Sequence, residues 1–427
     1  MIKQYDIQKL LSNHVPPYMY SKDVFKPYET PIFYSGQYWD NRETEAAIDA
    51  FVNGKWLVAG EFVEKFEKEF SQKFHHRYSL MVNSGSSANL VMIGALKKYF
   101  KWDDDDEILV SPAGFSTTIS VIYQNRLKPV FVDIEWDTLN FDLDKLVLKI
   151  TDRTKAIFLS PVLGNPPNID YVLSICKIHH LQLIVDNCDS LGSKWDGSYI
   201  SEYGVAASTS FYPAHHISTA QGGMVSTNHK GIYDIASSLA TWGRGCYCSG
   251  ADNLKGCGVC GKRFSKWLKN YDGVVDHKYV FDNMGYNFNP LDLQGAIGSV
   301  QLTKFREIER NRNRSKDRIE NIVLSNVRGV MGVIVLPKAE PCWFGTPFIC
   351  EDTELKHRLV QHFEKYKIQT RNYFAGNILL HPGFDFLGDY KDYPEANQIL
   401  DRVFFLGAAP HYTSEVFRYI EEIVKKF

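Results

Sequence analysis

Short runs that are apolar at every position punctuate the first two thirds of the chain. Ile108-Leu109-Val110, Val130-Phe131-Val132, Ala156-Ile157-Phe158-Leu159 and Leu183-Ile184-Val185 lack polar alternation, as strands covered on both faces do. Between them lie helical stretches, Leu143 to Ile150 and Ile169 to His180, and an apolar helix is expected over Leu90 to Leu96. Strands alternating with helices predict an α/β fold around a mostly parallel sheet. The acidic run Asp103 to Glu107 reads as a solvated loop entering the first of these strands. Near Leu302 the pattern changes to a long polar helix, Lys304 to Ile319, and the remainder reads as a mixed α+β lobe. The expected division is therefore a large domain over 1–303 and a small C-terminal domain over 304–427. No repeat, low-complexity tract or Pro/Gly/Ser-rich linker separates the two, so they are expected to be intertwined.

Composition narrows the functional classes. The chain has 427 residues, enough for two lobes with a substantial core, and a formal net charge of -2 without any Lys/Arg block. That balance argues against a nucleic-acid partner. No apolar stretch approaches the roughly 18 residues a membrane helix needs, and Met1 to Asp6 shows no leader-like apolar core, so a cytoplasmic protein is expected. Eight cysteines are too sparse for a disulfide scaffold, yet Cys246, Cys248, Cys257 and Cys260 crowd into one segment, about 243–264, which reads as an insertion with metal chemistry.

Parallel sheets bind ligands beyond the carboxyl ends of their strands, which directs attention to the loops there. Asn83-Ser84-Gly85-Ser86-Ser87-Ala88-Asn89 follows a strand-like run and opens a helix, aiming backbone N–H groups at an anion, although Ser-Gly-Ser-Ser is also a common helix cap. Asp186 stands at the tip of a buried strand, where a carboxylate can face a protonated ring nitrogen or simply cap the next loop. Phe115 in Ser111 to Thr118 can stack on such a ring or belong to the core. Ser210-Phe211-Tyr212-Pro213-Ala214-His215-His216 precedes Gly222-Gly223, and no lysine lies between Lys194 and Lys230.

In consistent order these elements, with Gly285-Tyr286-Asn287, resemble the DegT/DnrJ-type nucleotide-sugar aminotransferases. The resemblance implies the pyridoxal-phosphate-dependent transferase fold type I of aspartate aminotransferase, with a mixed, mostly parallel seven-stranded sheet. It also implies cofactor-binding roles for Gly85, Ser86 and Ser210 at the phosphate, Phe115 on the ring, Asp186 at its nitrogen, Asp189 beside it, and Asn287 reaching into the neighbouring subunit of a homodimer. The family's lysine is replaced here by His215, and imidazole forms no stable imine with the cofactor aldehyde. A non-covalent cofactor is therefore expected.

Within the family the chain resembles the sugar 3-dehydratases that use pyridoxamine 5′-phosphate (PMP) and a histidine base, most of all the iron–sulfur type acting on CDP-4-keto-6-deoxyglucose. Leu163-Gly164-Asn165-Pro166, Asp189 to Ser193, Gly243-Arg244, Gly261 to Phe264, Asp276 to Tyr279 and Phe374 to Asn377 carry this resemblance. It implies His215 as the base, with His216 the alternative, and loss of the sugar C3 hydroxyl on the way to a 3,6-dideoxyhexose of the kind found in lipopolysaccharide O-antigens. It further implies a [2Fe-2S] cluster on Cys188, Cys246, Cys248 and Cys260, with Cys257 as the alternative fourth ligand. By the same resemblance, electrons would come from a separate NADH-dependent flavin and iron–sulfur reductase. Trp56, His277, Lys278, Tyr279, Arg371 and Asn377 are candidate substrate contacts. The competing readings are a zinc site at Cys246, Cys248, Cys257 and Cys260, a cluster-independent dehydratase that releases ammonia, and a non-catalytic protein on a transaminase fold.

Overall fold

The computed structural model describes Lys9 and residues 24–246 and 263–427. Seven strands make the central sheet: β1 (Tyr78–Val82), β2 (Glu107–Val110), β3 (Lys128–Phe131), β4 (Thr154–Leu159), β5 (Gln182–Asp186), β6 (Ala206–Ser210) and β7 (Gly223–Thr227). Their order in space is β1-β7-β6-β5-β4-β2-β3. Only β7 is antiparallel to its neighbours. The expected mostly parallel sheet is thus observed; three of the uniformly apolar runs are its interior strands β2, β4 and β5, with every residue of β2 buried, and the fourth lies in the edge strand β3.

Helices α1 (Asn41–Asn53), α2 (Glu61–Lys73), α3 (Gly85–Phe100), α4 (Ser116–Gln124), α5 (Leu143–Leu148), α6 (Ile169–His179) and α7 (Lys230–Ala240) accompany the sheet. Side-chain caps set several of their starts. Ser84, Asp142 and Asn168 accept from the backbone N–H of Ser87, Lys145 and Tyr171, opening α3, α5 and α6. The helix expected over Leu90 to Leu96 therefore begins earlier, directly at the glycine after β1.

The acidic run is less solvated than its composition implies. Asp106 and Glu107 are buried, and Glu107 accepts from Thr151 Oγ1 at 2.5 Å and Lys128 Nζ at 3.1 Å.

The polar helix is longer than expected. Helix α8 (Asp292–Asn326) has 35 residues, and position 303/304 falls inside it. Its polar appearance is misleading, because Lys304, Arg312 and Lys316 are all buried. Lys304 pairs with the buried Glu43 of α1 and donates to the Tyr38 carbonyl at 3.0 Å. The C-terminal half of α8 packs beneath a four-stranded antiparallel sheet made of β8 (Val330–Met331), β9 (Gly345–Cys350), β10 (Thr370–Asn372) and β11 (Val403–Gly407), in the order β8-β9-β11-β10. Helices α9 (Thr353–Lys365) and α10 (Ser414–Val424) complete this layer, whose core includes Phe348, Phe363, Phe404 and Ile420. No helix among the described residues is long and apolar enough to cross a membrane.

Candidate active site

A cleft of about 540 Å³ opens at the carboxyl ends of β4, β5 and β6, and the four-stranded antiparallel sheet closes its far wall. Its floor begins at the N-terminus of α3. The first-turn N–H groups of a helix have no intrahelical acceptor and carry the positive end of the helix dipole, so they suit a phosphate. The chain must approach closely there. A Cβ on Gly85 would lie 2.5 Å from Ser210 Cβ, and one on Gly223 would lie 2.2 Å from the Ser84 carbonyl oxygen. Gly85, Ser86 and Ser210 accordingly line one pocket together, with Ser86 Oγ donating to Thr117 Oγ1 at 3.2 Å.

Asp186 ends β5 and is buried. Asn89 Nδ2 and Thr118 Oγ1 donate to its Oδ2 at 2.8 and 2.7 Å, and the Cys188 backbone N–H donates to Oδ1 at 3.2 Å. These three donors come from α3, α4 and the β5 loop, so the carboxylate's orientation is set by the packing of three elements around one point. Asn89 Oδ1 is buried without a partner. Phe115 caps the start of α4 with its ring half exposed in the cleft, edge-on to Phe374 at 6.1 Å. A phosphate cradle that a Cβ would fill, a donor-fixed carboxylate and a bare aromatic face together fit a phosphorylated pyridine.

His215 lines the same cleft. Its Nδ1 lies 3.5 Å from Asp189 Oδ1 without hydrogen-bond geometry, and that nitrogen has no hydrogen-bond partner. Burial, reinforced by the charge of Asp186, pushes the Asp189 carboxyl up to about 8. Burial, reinforced by the Arg312 guanidinium, brings the His215 imidazole down to about 4. Near neutral pH the imidazole is therefore unprotonated and Asp189 holds a proton. His216 faces elsewhere: its Nε2 donates to the Cys342 carbonyl at 2.9 Å, and burial keeps it neutral. It takes no part in lining the cleft.

The remaining expected residues are dispersed. Arg371 lines the cleft, its guanidinium 4.2 Å above the Tyr34 ring. Asn377 is fully buried outside the cleft, donating to Asn397 Oδ1 and accepting from the Leu379 N–H. Trp56, Lys278, Tyr279 and Asn287 do not line the cleft within this chain, and His277 is buried with neither ring nitrogen hydrogen-bonded. Asn287 is exposed and accepts from Asn289 Nδ2 at 2.8 Å. Cys188 lines the cofactor cleft, where burial and the neighbouring Asp186 hold its thiol well above the usual range. Cys246 is buried, whereas Cys248, Cys257 and Cys260 lie outside the described residues. Among the described residues no three His, Cys, Asp or Glu side chains converge to hold a metal.

Sequence reasoning missed the residues that tertiary packing brings in: Tyr34 from the N-terminal segment, and Phe344, Asn372 and Phe374 from in and around the four-stranded sheet. Asn89 and Thr118 were within reach. Both sit on the first turns after cofactor-facing loops, where a polar side chain can point back at a strand-end carboxylate.

A sheet with one antiparallel strand, a helix N-terminus facing a strand-end serine, and a strand-tip carboxylate sharing one cleft with an aromatic ring define the pyridoxal-phosphate-dependent aminotransferase fold. The chain belongs to the DegT/DnrJ/EryC1/StrS aminotransferase family, whose model matches residues 39–425. Among the relatives are nucleotide-sugar 3-dehydratases. The chain is 36% identical to dTDP-4-dehydro-2,6-dideoxy-D-glucose 3-dehydratase of Saccharopolyspora spinosa, over 93% of this chain and 87% of that one. It is 34% identical to the lipopolysaccharide biosynthesis protein RfbH of Salmonella typhimurium, over 92% and 90% of the two chains. In structure it is similar to E. coli GDP-4-keto-6-deoxy-D-mannose-3-dehydratase with bound hydrated PLP, with TM-score 0.80, 27% identity, and coverage of 93% of this chain and 99% of that one.

Proposed function

We propose that this chain is a PMP-dependent 3-dehydratase of nucleotide-linked 4-keto-6-deoxyhexoses. The observation that carries this reading is His215: it occupies the loop after β6 where lysine-bearing relatives of the fold bind their cofactor covalently, and no lysine lines the cleft among the described residues. The bound cofactor supplies a primary amine for the sugar ketone and an electron-accepting ring. The protein's residues supply the rest. The α3 N-terminus with Ser86 and Ser210 would hold the phosphate, Asp186 would keep the ring nitrogen protonated, and Phe115 would stack on the ring. His215, neutral at working pH, accepts a proton at its ring nitrogen, and the protonated Asp189 beside it can donate one. Arg371 and Tyr34 form a cationic, aromatic wall suited to a nucleotide diphosphate. The 3-dehydratase relatives support the assignment of the departing group as the C3 hydroxyl.

The finer reading takes CDP-4-keto-6-deoxyglucose as substrate and a [2Fe-2S] cluster on Cys188, Cys246, Cys248 and Cys260, or Cys257, fed by a flavin and iron–sulfur reductase. Cysteine spacing supports it. A cluster-independent dehydratase is the alternative, supported by the similarity in structure to a GDP-sugar 3-dehydratase. Iron content and EPR of protein purified without oxygen separate the two: about two irons per chain with a reducible signal establish the cluster, and no iron together with ammonia released on turnover establishes the cluster-independent route. A homodimer is part of the proposal, supported by the exposed apolar side chains Tyr279, Phe281 and Met284 near Asn287, and sedimentation of the full chain tests it.

A further inference from the structure

We propose that Arg312 is a positioning residue for the reaction: its guanidinium fixes the backbone of the loop bearing His215 against the cleft wall that carries Phe344. The inference rests on His215 being the base.

Arg312 lies midway along α8 and is fully buried. Its hydrogen bonds all go to backbone carbonyls rather than to a carboxylate. Nη2 donates to Ala214 and His215 at 2.9 and 2.8 Å, and Nη1 donates to Phe344 and Trp343 at 3.2 and 3.5 Å. Burial draws its pKa down to about 10, which leaves it a cation at neutral pH. A buried cation without a counter-ion is unfavourable, so its position beneath converging carbonyl dipoles ties it to one geometry. The planar fork holds both segments at once, which a single ammonium cannot do.

The two segments meet across the active site. The His215 ring packs on the Phe344 ring at 5.2 Å between centroids, and both line the cleft. His216 Nε2 on the Cys342 carbonyl and Asn313 Nδ2 on the Pro341 carbonyl, each at 2.9 Å, extend the same seam. Arg312 itself is absent from the cleft lining, so it acts through the backbone it holds. Its bonds do not involve the α3 N-terminus, Asp186 or Phe115.

The test compares the full chain with Arg312→Met and Arg312→Lys, each loaded with pyridoxal 5′-phosphate for binding and exchange and with PMP for turnover. In Arg312→Met, amide hydrogen exchange over residues 211–219 rises about tenfold, while exchange over 85–96 and 182–186 stays as in the parent. With CDP- and GDP-4-keto-6-deoxyhexoses as probes, kcat falls about a hundredfold while KM and cofactor affinity stay within about threefold, and Arg312→Lys recovers part of kcat. Unchanged exchange over 211–219, exchange raised equally across the sheet, or a defect confined to KM or cofactor affinity overturns the proposal. Exchange requires no turnover, so failure of the dehydratase reading is distinct: the parent itself then turns over neither probe.

Discussion

Replacing Asp189 by Asn keeps the shape of a buried side chain and removes its titration. Asp189 is 8% exposed, and its carboxyl is raised from an ordinary 3.8 to about 8. Between these values the folded chain holds a proton that the unfolded chain has released. The unfolded state therefore binds fewer protons, and stability falls as pH rises, by about 1.4 kcal/mol per pH unit. From pH 4 to 8 the accumulated penalty is on the order of 5 kcal/mol, and exposure of the cleft to solvent makes this an upper figure. Asp189→Asn escapes it. Urea unfolding of the cofactor-free chain at pH 5, 6, 7 and 8 should show the variant gaining on the parent at each step. Glu67, also raised to about 8, is common to both proteins and cancels in the difference. A difference that is flat with pH would refute the reasoning. It would mean that Asp189 is ionised throughout, paired with a protonated His215, and that the imidazole is no base at neutral pH.

Three further outcomes follow from the geometry. Asp186→Ala strips the carboxylate fixed by Asn89 and Thr118, so pyridoxal 5′-phosphate affinity measured by absorbance titration should fall at least about a hundredfold. Gly85→Ala places a methyl group 2.5 Å from Ser210 Cβ, so it should cost about 1–3 kcal/mol in urea unfolding and also weaken inorganic phosphate binding. His215→Lys introduces the amine that the loop lacks, so borohydride treatment of the pyridoxal-phosphate-loaded variant should give a permanent mass increase that the parent does not show.

Much of the large domain was legible because its strands are buried on both faces, and such strands announce themselves as unbroken apolar runs. Asp186 was legible for the same reason, since it falls at the tip of β5, whereas His215 follows β6, whose Ala-Ala-Ser-Thr-Ser is no apolar run, and was legible through the family resemblance. The small domain's contribution was not. Phe344, Arg371 and Phe374 reach the cleft through a crossing of two sheets that no local pattern encodes. Helix α8 was misjudged for a chemical reason, since Lys304 and Arg312 look solvent-facing in sequence while a buried glutamate and a set of carbonyls receive them. Asn377, a candidate substrate contact by phrase, is taken up by backbone capping instead.

The most direct test of the account follows the fate of the sugar's C3 oxygen. PMP-loaded protein is incubated, without any reductase, with CDP-, GDP- and dTDP-4-keto-6-deoxyhexoses carrying heavy oxygen at C3, and the water and sugar are analysed by mass spectrometry. The account predicts release of the label into water from at least one of them by the parent, and none by His215→Asn, which binds the cofactor equally well. Label retained at C3 while an amino group appears at C4 would contradict it and make the chain an aminotransferase.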